Sequence, residues 1–237
     1  MFVLGVQASP LKYNATASGS YYPYSTGVKE NPGISHEFVI KVMAEAGIEI
    51  AHVSLPAKRT QQFMLNQQLD FEIVSPTWLT EEERNLQQFV FSDALLPVQE
   101  LLVTLPDKVS KYASSNSIIG GTVGTVRGYY YHNDHEFIRA DFATERELVL
   151  ALSKKRIEVA IIGDLPALYW SQQLDIDIAF GAMHSKGQLH IRLRSKHKEL
   201  LPKINDAIAT LKSQGIVEQL EDKYLSPIIF KSMPHSD

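Results

Sequence analysis

The chain has 237 residues, enough for one large domain or two of modest size. Its net charge is -4 and its lysines and arginines are scattered, which excludes a clustered basic face for nucleic acid. No apolar run approaches the roughly 18 residues that span a bilayer. Cysteine is absent, which excludes disulfides and thiol chemistry and suits a chain exported to an oxidising compartment.

The opening MFVLGV has no charged segment, long apolar stretch or cleavage site, and reads as a methionine before a first strand. Either the chain is cytosolic or a signal peptide has been removed from it. Residues 2–7 are the first expected strand, and a loop rich in Ser, Tyr, Gly and Pro runs on to about Gly33. Ser35 is placed to cap a helix. The apolar face of that helix is Phe38, Val39, Val42, Met43 and Ala46, and Gly47 stops it. Residues 48–54 are a strand, 58–68 a short helix with Phe63 and Met64 inward, and 70–75 a strand again. This βαβαβ order predicts a mostly parallel sheet.

After a break at residues 90–97 the pattern restarts, with strands over 100–105 and 122–126. Thr144 and Glu147 form a capping-box pair ahead of Leu148, Val149, Ala151 and Leu152. Residues 157–162 are a strand entering Gly163 and Asp164, and 176–180 and 188–193 are two more strands. The end is helical. Leu200, Leu201, Ile204, Ala207, Ile208 and Leu211 share one face, Gly215 stops that helix, and residues 216–224 form the last one.

Two α/β units therefore stand in tandem without a flexible linker. The joins near Glu100 and His190 are themselves strand-like. The expected division is residues 1–98 in a first lobe, 99–191 in a second, and 192–237 returning to the first. Ligands bind beyond the carboxyl ends of strands in open α/β sheets, so the expected site is the cleft between lobes, closed by a hinge motion.

Several segments in this order resemble extracellular solute-binding protein family 3, the polar amino-acid group of bacterial periplasmic binding proteins. They are YYPYS, GISHEFVIKVMAEAGIEI, LNQQLDFEIVSPTWLTEEER with FVFSDALL, GGTVGTVRGYY, KKRIEVAIIGDLPALYW and the C-terminal LHIRLRSKHKELLPKINDAIATLKSQGIVEQLEDKYL. The resemblance covers nearly the whole chain. It implies a type II periplasmic-binding-protein-like α/β fold. Each lobe is then a mainly parallel sheet flanked by helices, joined to the other by two hinge strands. The pattern departs in places. The family's Thr-x-x-Arg is one residue longer here, from Thr80 to Arg84. Ala94 stands for the proline after Phe-Ser-Asp, and the tryptophan usual near Lys58 is absent.

An amino-acid ligand needs a cation for its carboxylate and a carboxylate for its ammonium, because burying either charge unpaired is costly. By resemblance Arg84 takes the carboxylate and Asp164 the ammonium. The bland readings are a solvated arginine beside Glu81, Glu82 and Glu83, and an N-cap. Arg59 is either a cleft cation or a surface charge. Arg127 precedes Gly128 and Tyr129, whose amides are placed to hold an anion if a helix starts there. Alternate residues of an extended segment face opposite ways, so Tyr24 and Tyr130 are the rings expected to sandwich the ligand. Ser75, Thr77 and Trp78 offer hydroxyls, carbonyls and a ring. His132 and His135 lack a third metal ligand at a fixed spacing, so no metal is expected, and no cofactor motif is present.

The resemblance thus implies a periplasmic solute-binding protein rather than an enzyme. It would close as a monomer around a zwitterion, in the manner of a venus flytrap, and deliver it to the permease of an ABC transporter. The alternatives are a dehydratase-like enzyme, for which the sequence offers no convincing catalytic pair, and a sensory module. The C-terminal KSMPHSD argues against a fused sensor and leaves a free one open.

Overall fold

The computed structural model describes residues 9–15 and 21–232, so the strand expected at residues 2–7 lies outside the described residues. The segment read as a long loop contains a strand, β1 (Leu11–Asn14). Lys12 is exposed between buried Leu11 and Tyr13, a two-residue period that the surrounding Ser and Gly obscured. β1 lies between β2 (Ile50–His52) and β3 (Phe71–Val74) and is parallel to both.

Helix α1 (Ile34–Glu45) buries Phe38, Val39, Val42 and Met43 as its spacing requires. Its N-cap is Gly33 and not Ser35. Ser35 is the second helical residue, and its hydroxyl donates to the Tyr24 carbonyl at 2.8 Å, tying the tyrosine loop to the helix. α2 (Ala57–Leu65) follows β2. β3 leads into a short 3₁₀ turn at Pro76–Trp78 and a one-turn helix, α3 (Glu81–Arg84).

β4 (Phe89–Phe91) and the first residues of β5 (Leu96–Thr104) occupy the region read as a break, and the rest of β5 is the strand expected at residues 100–105. In the second lobe β6 (Thr122–Val126) is parallel to β7 (Ile138–Phe142) and to β8 (Val159–Gly163). α4 (Glu145–Ser153) is capped by Thr144, and α5 (Asp164–Leu174) leaves β8 directly. Glu147 completes only part of the capping box, since its carboxylate accepts from Ala143 N–H.

The two strands expected at residues 176–180 and 188–193 are one strand, β9 (Ala179–Arg194). It runs antiparallel to β5 over most of its length, then to β3 and β4. The sheet order is β2-β1-β3-β9-β5-β8-β6-β7, so β9 and β5 form the double hinge between two lobes. Tyr13, Phe38, Phe71, Ile191 and Leu193 belong to the first lobe's core. Leu148, Ile162 and Ala167 pack on one side of the second lobe's sheet, and Leu102, Val123 and Ile161 on the other. α6 (Leu201–Ser213) and α7 (Ile216–Ser232) pack back on α1.

Candidate functional site

A cavity opens where β1 and β3 of the first lobe face the β6–β7 connection of the second. The first lobe contributes Asn14, Tyr21, Thr60, Gln61, Glu72 and Trp78. The second contributes Gly128, Tyr129 and Tyr130, and Glu100 enters from hinge strand β5. The lobes are pressed together. A Cβ on Gly163 would lie 2.6 Å from the Tyr21 hydroxyl, so any larger residue there would push that ring away. At the hinge a Cβ on Gly187 would lie 2.5 Å from Ser75 Oγ and 2.7 Å from Thr77 Oγ1. Tyr22 stacks on Tyr169 of α5, with centroids 4.3 Å apart and planes 11° apart.

Of the residues expected from sequence, Trp78, Gly128, Tyr129 and Tyr130 line the cavity. Tyr24 does not. It is buried and stacks on Tyr21 at 5.2 Å, while Tyr21 takes the wall position and meets Trp78 edge-on at 5.8 Å. Ser75 and Thr77 bond each other's hydroxyls at 2.8 Å behind the wall. Arg59 and Arg127 are exposed, and the Tyr129 amide already donates to Val126 O at 3.1 Å. No α-helix starts after Gly128. The chain makes a 3₁₀ turn at Asp134–Glu136 instead, so the amide array that would favour an anion is not assembled there.

Arg84 is exposed at the end of α3. Three residues after Thr80, where the family pattern has arginine, stands Glu83. Its carboxylate accepts from Thr80 N–H at 2.9 Å, while the Thr80 hydroxyl accepts from Glu83 N–H at 3.2 Å. This reciprocal cap fixes the register that places Arg84 outward. Asp164 is half-buried beside the cavity, not in its wall. It accepts from Gln99 Nε2 and from Leu165 N–H, each at 2.7 Å.

Charges on the wall come from residues that sequence reasoning passed over. Glu72 is buried and receives Arg192 Nε at 2.7 Å, and Arg192 Nη2 also pairs with it. Burial raises the Glu72 carboxyl even though the guanidinium pulls it down. Glu100 accepts from the Ser185 hydroxyl at 2.5 Å, and His184 Nδ1 lies 3.8 Å from the same oxygen. Behind Tyr129, whose hydroxyl donates to it at 2.9 Å, sits Glu145, 1% exposed. Burial lifts its carboxyl to about 7, and Glu100 adds to the rise.

The buried acceptors are not all used. Asn14 donates through Nδ2 to the carbonyls of Val53 and Leu55, which fixes its amide orientation and leaves Oδ1 without a partner. Glu145 Oε2 has none either. Among the described residues no lysine or arginine lines the cavity. The arrangement is a cage of aromatic rings and acceptors, which suits a group rich in N–H donors and positive charge.

The sequence profile of the bacterial extracellular solute-binding proteins, family 3, matches residues 14–227. No curated protein shows significant sequence similarity to the chain. Among solved structures, the GluR0 ligand-binding core from Nostoc punctiforme in complex with L-glutamate superposes with a TM-score of 0.75 at 18% identity, covering 92% of this chain and 100% of that one. A Streptococcus pneumoniae ABC uptake transporter substrate-binding protein with bound histidine gives a TM-score of 0.74 at 18% identity, covering 92% of each chain. A histidine kinase sensor domain with similarity to periplasmic binding proteins gives 0.74 at 15% identity, covering 92% of this chain and 96% of that one. These likenesses establish a shared fold. With the profile match running from β1 into α7, the chain belongs to the bacterial extracellular solute-binding proteins, family 3.

Proposed function

We propose that this chain is a solute-binding protein that closes on a small amine-bearing molecule and passes it, without turnover, to an ABC-transporter permease in the membrane. The observation that carries this reading is Glu100, a hinge-strand carboxylate in a cavity of tyrosine and tryptophan rings that no described lysine or arginine lines. An ammonium in that cavity gains a charge-assisted bond to Glu100, a bond to Asn14 Oδ1 and the faces of Tyr21, Trp78 and Tyr129. Because both lobes and the hinge contribute, the ligand binds the closed form better than the open one, which is the condition for closure. Family membership supports delivery to a permease and a periplasmic setting, and a monomer is the expected state. Sensing is the alternative use of the same clamp.

The ligands named for the similar structures are glutamate, histidine, arginine and glutamine, and all carry an ammonium. In this cleft the amine end has partners and the carboxylate end lacks its arginine. A zwitterion is the second reading, and one observation favours it. Nη1 of Arg192 is buried without a partner next to Glu72, a spare donor just behind the wall.

Matched pairs separate the two readings. After unfolding and refolding to strip carried-over ligand, thermal shifts are measured with each amino acid and its decarboxylated amine: arginine and agmatine, histidine and histamine, tyrosine and tyramine. Larger shifts with the amines support the proposal, since a ligand specific for the folded state raises Tm. Shifts confined to the amino acids overturn it.

A further inference from the structure

Glu145 is the most buried carboxyl near the cavity. It is the first residue of α4, 1% exposed, outside the cavity wall and bonded to the hydroxyl of Tyr129, which lines it. One oxygen accepts from the Tyr129 hydroxyl and the other has no partner, and the residue's own backbone N–H favours the ionised form without offsetting burial. The titratable groups facing it are Tyr129, Tyr21, Tyr131 and Glu100, none of them a cation. A buried carboxylate with no counter-charge costs more than a buried carboxylic acid. Asn14, which lines the same cavity, leaves its buried Oδ1 without a partner, an independent acceptor beside this space that lacks a donor.

Resting on the amine reading of the cleft, we propose that Glu145 is the second carboxyl of the binding site and holds a proton while the cleft is empty, and that a bound cation ionises it, so that binding expels the proton to solvent. The balance is simple. The empty site carries Glu145 as acid. The occupied site carries Glu145 as a carboxylate behind Tyr129, near a ligand with two amino groups, and one proton leaves. Burial lifts Glu145 to about 7, so the exchange falls in the physiological range. Affinity for a dication then rises with pH and levels off above about 7, and it is about tenfold weaker at pH 6 than at pH 8. Protonation of His132, near Glu100, would act in the same direction, so the effect must be traced to Glu145 itself.

The test has two arms. In the empty protein, carboxyl-carbon NMR with Glu145→Gln identifying the resonance should give a midpoint near 7, and a midpoint in the ordinary carboxylate range overturns the proposal. Calorimetric titration with 1,4-diaminobutane at pH 6, in two buffers of different ionisation enthalpy, should show about one proton released per ligand. Glu145→Gln, checked for an unchanged fold by circular dichroism, should show none and should lose the tenfold pH dependence. Binding without proton release, or pH dependence that persists in Glu145→Gln, overturns the inference and leaves the amine reading standing. No binding of amines despite a midpoint near 7 overturns the amine reading instead.

Discussion

Arg192→Met removes the only cation among the described residues that pairs with buried Glu72, while keeping an apolar chain over the Phe89 ring, 4.6 Å from the guanidinium carbon. Arg192 is 2% exposed and Glu72 5%, so water does not replace the lost charge. Breaking such a pair costs about 3–5 kcal/mol, which lowers Tm by roughly 10 °C in a chain of this size. The loss depends on pH with a definite sign. Without the guanidinium, burial raises the folded Glu72 carboxyl further above its unfolded value. Below the unfolded value the group is protonated in both states and costs nothing. The penalty grows as pH rises from there towards the folded value. Urea unfolding should therefore show a small deficit at pH 4.5 and the full deficit at pH 8. Glu72→Met combined with Arg192→Met should recover most of it, because no charge is then left buried. An equal loss at both pH values, or a double variant no better than the single one, would refute the argument that Glu72 is a desolvated carboxyl held by Arg192.

Other expectations concern separate parts of the molecule. His36 is buried against Tyr13, and burial, helped by His52, holds it at about 4. It is neutral in the fold and protonates in the unfolded chain, so stability rises between about pH 4 and 6.5. His36→Gln should flatten that slope, worth up to about 3 kcal/mol, in a series of urea melts. Gly187→Ala places a methyl group against Ser75 and Thr77 at the hinge. It should cost about 1–3 kcal/mol in the same assay and weaken ligand-driven closure seen by small-angle scattering. Tyr129→Phe removes the hydroxyl that favours the ionised Glu145, and the Glu145 resonance should then titrate above its wild-type midpoint.

Much of the fold was legible because its elements have one wet and one dry face. The spacing of Phe38, Val39, Val42 and Met43 marks α1, and residues 122–126 match β6. The middle of β9 escaped because a hinge strand has no single core. Between Gly181 and Gln188 it crosses from one lobe to the other, and its half-exposed residues break the alternation that marks a strand. In the site, the aromatic clusters were visible, and Trp78, Gly128, Tyr129 and Tyr130 reach the wall. Which tyrosine of the first loop faces the cavity depends on how that loop docks on α1 through Ser35, a tertiary contact without a local signal. Glu100 and Glu145 look ordinary in sequence, one opening a strand and the other following an N-cap threonine. What makes them chemical is the burial that the second lobe imposes on them.

The central claim is that a carboxylate on the hinge strand, and not an arginine on α3, anchors the ligand. Isothermal titration of the amine giving the largest thermal shift, against wild type, Glu100→Gln and Arg84→Ala, tests it directly. Glu100→Gln should lose about 2–4 kcal/mol of binding, because the ligand's ammonium is left without its counter-charge, and Arg84→Ala should match wild type within twofold. Wild-type affinity in Glu100→Gln together with lost binding in Arg84→Ala would contradict the account.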